Sequence, residues 1–230
     1  MIQNPIEDYI LKNKKYFLNI DIAIRQSSEF FYKYLTKQEK TDQNLLISLF
    51  LGVYFKELQT IMVSFQKGLL TAIPLLLKKI IEAWRYLIYY SAYKEEASLF
   101  LNNVEDYTKP KQSNLAIKID EIIAENKIHR MLDDDSKFYK DFIKTFYERV
   151  CAYSHMDILP LKAELLDKDM KLDLGINVRD EVLNEYLLLF LILIALFFEF
   201  IAYYYKLENF EYSDIYKEVF NNIKEISGID

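Results

Sequence analysis

The run LLLFLILIALFF, residues 187–198, is apolar on every side of any helix it forms. Such a helix must be enclosed, either by other helices in the middle of a bundle or by lipid. A membrane-spanning helix needs about 20 consecutive apolar residues. Here Glu199 interrupts the run, and Asn184, Glu185 and Lys206 stand close to its ends. The central helix of a bundle is the expectation, and a membrane-associated helix over 186–205 is the alternative.

A central helix needs amphipathic helices around it. The chain can supply them: 52% of its 230 residues are hydrophobic, and only 4 Gly and 4 Pro interrupt it, which favours long helices over many short strands. From Ile6 to about Lys37 the pattern is helical, with Tyr9, Phe17, Ile20, Ile24, Phe31 and Tyr34 as candidate buried positions. Thr41 or Asp42 is a candidate N-cap for a second helix, whose apolar face reads Leu46, Leu49, Phe50, Val53, Leu58, Ile61, Met62 and Phe65. Gly68 punctuates the chain. Behind it Ile73, Leu76, Leu77, Ile80, Ile81, Trp84, Leu87 and Ile88 form the cleanest stripe, with Pro74 tolerated in the first turn. The second and third helices are expected to be antiparallel neighbours.

Further helical patterns cover 94–106, 115–132, 138–155, 180–206 and 213–226. Between His155 and Asp180 the periodicity fails, and Pro160 and Gly175 fall there. The fold class expected is all-α: a single-domain helical bundle of six to eight helices spanning 1–230, with a short irregular segment around 156–179.

The net charge of −6 argues against a broad phosphate-binding surface, though not against a small RNA-processing site. Cys151 is the single cysteine, so no intramolecular disulfide can form, and a cytoplasmic home is expected. The N-terminus, MIQNPIEDYILKNKK, lacks a basic region followed by a long apolar run, so no secretion signal is expected. Neither zinc spacing nor a glycine-rich phosphate loop is present, and Asp133, Asp134 and Asp135 read as a helix cap rather than a metal site. No cofactor or metal is expected.

One pairing reads as chemistry. In FYERVCAYSHMD, residues 146–157, Arg149 is followed by His155 with five residues between them. An arginine stabilises charge developing on a phosphate, and a histidine moves protons near neutral pH. Together they can cleave RNA without metal, with His155 acting at the ribose 2′-hydroxyl and Arg149 holding the phosphate. On a straight helix, positions six apart point about 120° apart. Convergence therefore requires the helix to end before His155, or a second subunit to complete the site. The bland alternative is a surface arginine and a hydrogen-bonded helix-end histidine. On the third helix Lys78, Lys79, Glu82 and Arg85 read as a solvated face opposite the stripe, with Lys78–Glu82 and Glu82–Arg85 at ion-pair spacing. The functional alternative has this face lining a polar groove with Arg149. His129 stands alone, and Cys151 reads as core.

Two stretches resemble a family. GLLTAIPLLLKKIIEAWRYLIYY, residues 68–90, is similar to the helix of bacterial HEPN-like proteins in which a Gly and an apolar run are followed by a basic residue, here Lys78, and a Glu four places on, here Glu82. FYERVCAYSHMD is similar to their second signature, an aromatic-rich helix ending in Ser and His, here Tyr153, Ser154 and His155. Arg149 to His155 matches the Arg, four to six residues, His spacing of the wider superfamily. The chain departs from the pattern at Val150, where a polar residue is common, and at Lys78, where Arg is common. The resemblance implies an all-α bundle and a homodimer with paired motifs at its interface. It also implies a metal-independent ribonuclease of a toxin–antitoxin, abortive-infection or other phage-defence system, with Arg149 and His155 catalytic and Tyr153, Ser154, Lys78 and Glu82 supporting. Its partners would be an RNA substrate and an antitoxin or defence protein. The alternative is a non-catalytic helical protein-interaction module.

Overall fold

In a computed structural model the described residues are 5–35, 38–69, 72–105, 107–129, 137–154, 180–207 and 214–228. Their regular structure is entirely helical: α1 (Pro5–Lys12), α2 (Lys14–Leu35), α3 (Asp42–Lys67), α4 (Ile73–Ala92), α5 (Lys94–Leu101), α6 (Gln112–Asn126), α7 (Lys137–Ser154), α8 (Asp180–Tyr204) and α9 (Asp214–Ser227). The all-α bundle stands, with nine helices among the described residues rather than six to eight. The extra one comes from Asn13. Its side-chain amide and its backbone N–H both donate to the Tyr9 carbonyl, and the chain restarts as α2 from there. Asparagine competes for backbone partners in this way, so one continuous apolar pattern becomes two helices.

Local signals place the other ends. Thr41 accepts from the Asn44 N–H and caps α3, and Gly68, at φ 69°, ends it in the left-handed conformation. Pro74 sits in the first turn of α4. Two helices end earlier than the hydrophobic pattern does. α5 stops at Leu101, where the Asn102 side chain donates to Ser98 O and to Asp42. α6 stops at Asn126, whose side chain donates to Ile122 O before Lys127 turns left-handed at φ 50°. The proposed cap at 133–136 and the irregular segment around 156–179 lie outside the described residues.

α3 and α4 make the most extensive helix–helix contact and run antiparallel: Gln43, at the start of α3, donates to the carbonyls of Tyr90 and Ser91, at the end of α4. The α4 stripe is buried as expected, except at Leu76, which is only partly buried. The expected α3 face holds in part. Leu46, Leu58, Ile61 and Phe65 are buried and Phe50 and Met62 are partly buried, but Leu49 and Val53 are exposed, and Ile47, Leu51 and Tyr54 are buried in their place. α3 is apolar on more than one side, so α4 and α8 select the face that enters the core.

α8 occupies the centre. Every residue from Tyr186 to Ile201 is buried, and the Tyr54 hydroxyl donates to Leu193 O at 2.6 Å from inside the core. α3 and α8 are both long and apolar enough to cross a membrane by length and composition, but α8 is covered by protein along most of its apolar stretch. The buried side chains form one cluster that draws on all nine helices.

Candidate functional site

α4 and α7, the two helices that carry the family resemblance, pack against each other. α7 buries Tyr139, Ile143, Phe146 and Val150, a helical stripe, and turns Tyr147 toward α4. The Tyr147 hydroxyl donates to Glu82 Oε1 at 2.9 Å, and its ring lies 4.1 Å beneath the Arg85 guanidinium. Burial, followed by the Glu82 hydrogen bond, pushes the Tyr147 hydroxyl well above the ordinary tyrosine value. It therefore stays protonated and donating at neutral pH.

The polar face of α4 is not the solvated ion-pair ladder its spacing implied. Glu82 takes a tyrosine hydroxyl, Lys79 pairs with Glu57 of α3, and Arg85 is only 7% exposed. Helical geometry gives the reason. Arg85 follows Trp84 by one position, about 100° round the helix, so it stands on the shoulder of the apolar stripe rather than opposite it. α6 and α7 cover that shoulder. Burial lowers the Arg85 pKa, opposed by Tyr147, Cys151, Glu82 and Asp120 nearby. Cys151, expected in the core, is half-buried beside this cluster.

Arg149 lies elsewhere on α7. Its guanidinium pairs with Glu185 of α8 at 2.6 Å and covers the Phe146 ring at 5.2 Å, with its side chain 43% exposed. Arg149 therefore does not join the α4 face in a common groove: Lys78, Glu82 and Arg85 belong to the α4 side, and Arg149 belongs to the α8 side. Tyr153 and Ser154 are in the last turn of α7, and His155 lies outside the described residues.

His129 does not stand alone. It is fully buried behind α4, where Trp84 Nε1–H donates to its Nε2 at 2.9 Å and its Nδ1 lies 3.0 Å from Glu199 Oε2. An indole nitrogen only donates, so Nε2 must accept and the imidazole proton sits on Nδ1, directed at Glu199. The Tyr216 hydroxyl donates to the other carboxylate oxygen. This contact is a hydrogen-bonded network holding α4, α8 and α9 together rather than an ion pair. The sequence hint was Glu199 itself, a carboxylate inside an apolar run.

Between α4, α6 and α7 lies a cavity of about 270 Å³ into which Arg85 opens. Among the described residues no three His, Cys, Asp or Glu side chains converge to hold a metal ion.

The fold class is thus an all-α bundle with a polar seam between α4 and α7. Comparison with protein-family models, with curated proteins and with solved structures finds no match for this chain.

Proposed function

We propose that this chain is a HEPN-like, metal-independent ribonuclease of a toxin–antitoxin or phage-defence system, acting as a homodimer in the cytoplasm. One observation supports the reading above the others: the two stretches that resemble the family signatures, 78 positions apart at Gly68 and Phe146, are neighbours in space, joined by Tyr147 on Glu82 and Arg85. In this reading His155 acts as general base or acid at the ribose 2′-hydroxyl, and Arg149 stabilises charge on the phosphate. The half-exposed Arg149 meets RNA by exchanging Glu185 for phosphate. Two copies of the α7 end about a two-fold axis would supply two arginines and two histidines to one groove.

The test is expression of the wild type beside His155→Ala and Arg149→Ala, with growth and total RNA followed together. Growth arrest with RNA cleavage in the wild type only supports the reading. Intact RNA in all three, with the proteins folded, overturns it. Co-expression of the two variants as a mixed dimer tests the shared site, which predicts recovery of part of the activity.

The second reading is a non-catalytic module that binds an antitoxin or defence protein. The Arg149–Glu185 ion pair and the buried Val150 favour it, because both give α7 a structural role. In that case a partner co-purifies and neither substitution affects RNA.

A further inference from the structure

α3 shows an apolar strip to solvent. Leu45, Leu49 and Val53 are 53%, 54% and 38% exposed, and Asp42 and Lys56 stand exposed at its two ends. At about 100° per residue all five lie within about 40° of Leu49, so they form one narrow line along the helix. No charge interrupts it: from Gln43 to Phe55, about 20 Å of helix, every residue is uncharged, whereas soluble proteins seldom leave such a surface bare. α5 borders the strip on one side, where Ser98 and Asn102 donate to Asp42. α2 borders it on the other, where the Phe31 ring lies beside Gly52. Each flank adds an exposed apolar side chain, Leu99 on α5 and Tyr32 on α2.

The spacing of the strip is the same from either end. From Asp42 the steps to Leu45, Leu49, Val53 and Lys56 are three, four, four and three residues. A second α3 laid antiparallel, with a two-fold axis at Leu49, therefore sets Leu49 on Leu49, Leu45 on the partner's Val53, and Asp42 beside the partner's Lys56. Every contact off the axis then occurs twice, as an isologous interface requires. The end charges are opposite, so antiparallel copies attract at both ends, while a parallel pair would set Asp42 on Asp42 and Lys56 on Lys56. Antiparallel helix dipoles act in the same direction. Asp42 is already held in place: both its donors use Oδ2, which leaves Oδ1 to accept a lysine. A lipid surface fits the strip less well, because a charge closes it at each end and the chain carries a net charge of −6.

We propose that the 42–56 face of α3 docks a second copy of this chain, antiparallel about Leu49. This contact is not the pairing of α7 ends put forward above. α4 packs against both α3 and α7, and Arg149 pairs with Glu185 of α8, so the α7 end has no part in the α3 contact. The two contacts are independent of each other. A chain that forms both assembles as a tetramer with two kinds of two-fold axis.

Light scattering of the full chain at micromolar concentration tests the proposal. Leu49→Glu places two carboxylates across the axis and should halve the wild-type mass, from tetramer to dimer or from dimer to monomer. Its helical circular dichroism should stay unchanged, because Leu49 is exposed. Cysteine pairs in a Cys151→Ser background test the register. Leu49→Cys should form a disulfide-linked dimer on mild oxidation. Leu45→Cys and Val53→Cys should link when mixed, and neither should link alone, since each stands about 6 Å to one side of the axis and its two copies about 12 Å apart, beyond disulfide reach. A folded Leu49→Glu that keeps the wild-type mass overturns the proposal while leaving the α7 pairing standing. An oxidised Leu49→Cys that stays unlinked overturns it as well. So does a monomeric wild type, and a monomer that binds phosphatidylcholine vesicles gives the strip to lipid instead.

Discussion

Trp84 and His129, 45 positions apart, share a hydrogen bond that decides which nitrogen of the imidazole carries the proton. The indole can only donate, so His129 offers its lone pair at Nε2 and gives its Nδ1 proton to Glu199, which also receives the Tyr216 hydroxyl. A buried carboxylate at the end of an apolar run is tolerated because each oxygen has a donor. His129→Leu removes one donor and orphans the Trp84 N–H. It should cost about 2–4 kcal/mol of unfolding free energy in urea titration, the range for unsatisfied buried polar groups and broken buried pairs. A loss under about 1 kcal/mol, the net worth of an ordinary hydrogen bond, would show that the network does not hold the helices together.

The Arg149–Glu185 pair should behave differently. Its side chains are 43% and 26% exposed, so solvent screens the attraction, and Glu185→Gln should change stability by less than about 1 kcal/mol. Its functional consequence separates the two readings of the protein. If Arg149 meets RNA, Glu185→Gln raises cleavage, because phosphate no longer competes with a carboxylate. If the pair is purely structural, the same substitution has no effect on RNA. Thermal melting and an RNA-cleavage assay on one preparation check both.

Buried tyrosines predict an alkaline limit. Burial raises Tyr54 well above the ordinary value of 10.0 and Tyr205 to about 12, and it raises Tyr9, Tyr90 and Tyr204 as well. The folded chain therefore holds these protons more tightly than the unfolded chain does. That contribution to stability is complete below about pH 10, the unfolded value, and is lost as pH rises through the folded-state values. The helical circular-dichroism signal should stay flat to about pH 10 and fall above it, with part of the tyrosinate absorbance emerging only as helix is lost. Full tyrosinate absorbance with the helix intact would contradict this.

Two glycines should respond with opposite signs. Gly68 has φ 69°, and a Cβ there would stand 3.1 Å from Ile6 Cδ1, so Gly68→Ala combines left-handed strain with crowding. A loss of about 1–2 kcal/mol is expected. Gly52 lies inside α3, and a Cβ would meet only the Phe31 ring, at an ordinary 3.9 Å. Gly52→Ala should stabilise by about 0.5–1 kcal/mol through helix propensity. Melting temperatures of the two variants, moving apart from the wild type, are the check.

The candidate site was legible only in part. The Arg149 and His155 pair, with Lys78 and Glu82, could be picked from spacing because a short motif is local. The partners that give Arg149 and Glu82 their roles could not. Glu185 and Tyr147 come from other helices, and no periodicity within one helix reports on them. The cavity between α4, α6 and α7 has the same origin, since Arg85, Ile119 and Lys144 are contributed by three helices.

The sequence by itself determined the helices, the caps at Thr41 and Gly68, the turn at Pro74 and the enclosure of residues 187–198, because each follows from neighbours within a few residues or from the cost of exposing an all-round apolar surface. Tertiary structure decided which residues in the first half of α3 face inward. Leu49 and Val53 carry the same apolar signal as Leu51 and Tyr54, and only packing on α4 and α8 separates them. It also buried Arg85, a shoulder residue covered by helices far along the chain, and gave His129 its tautomer through a tryptophan and a glutamate 45 and 70 positions away. Short-range order is set by backbone propensity and hydrophobic period. The environment of a charge is set by whatever the fold places beside it.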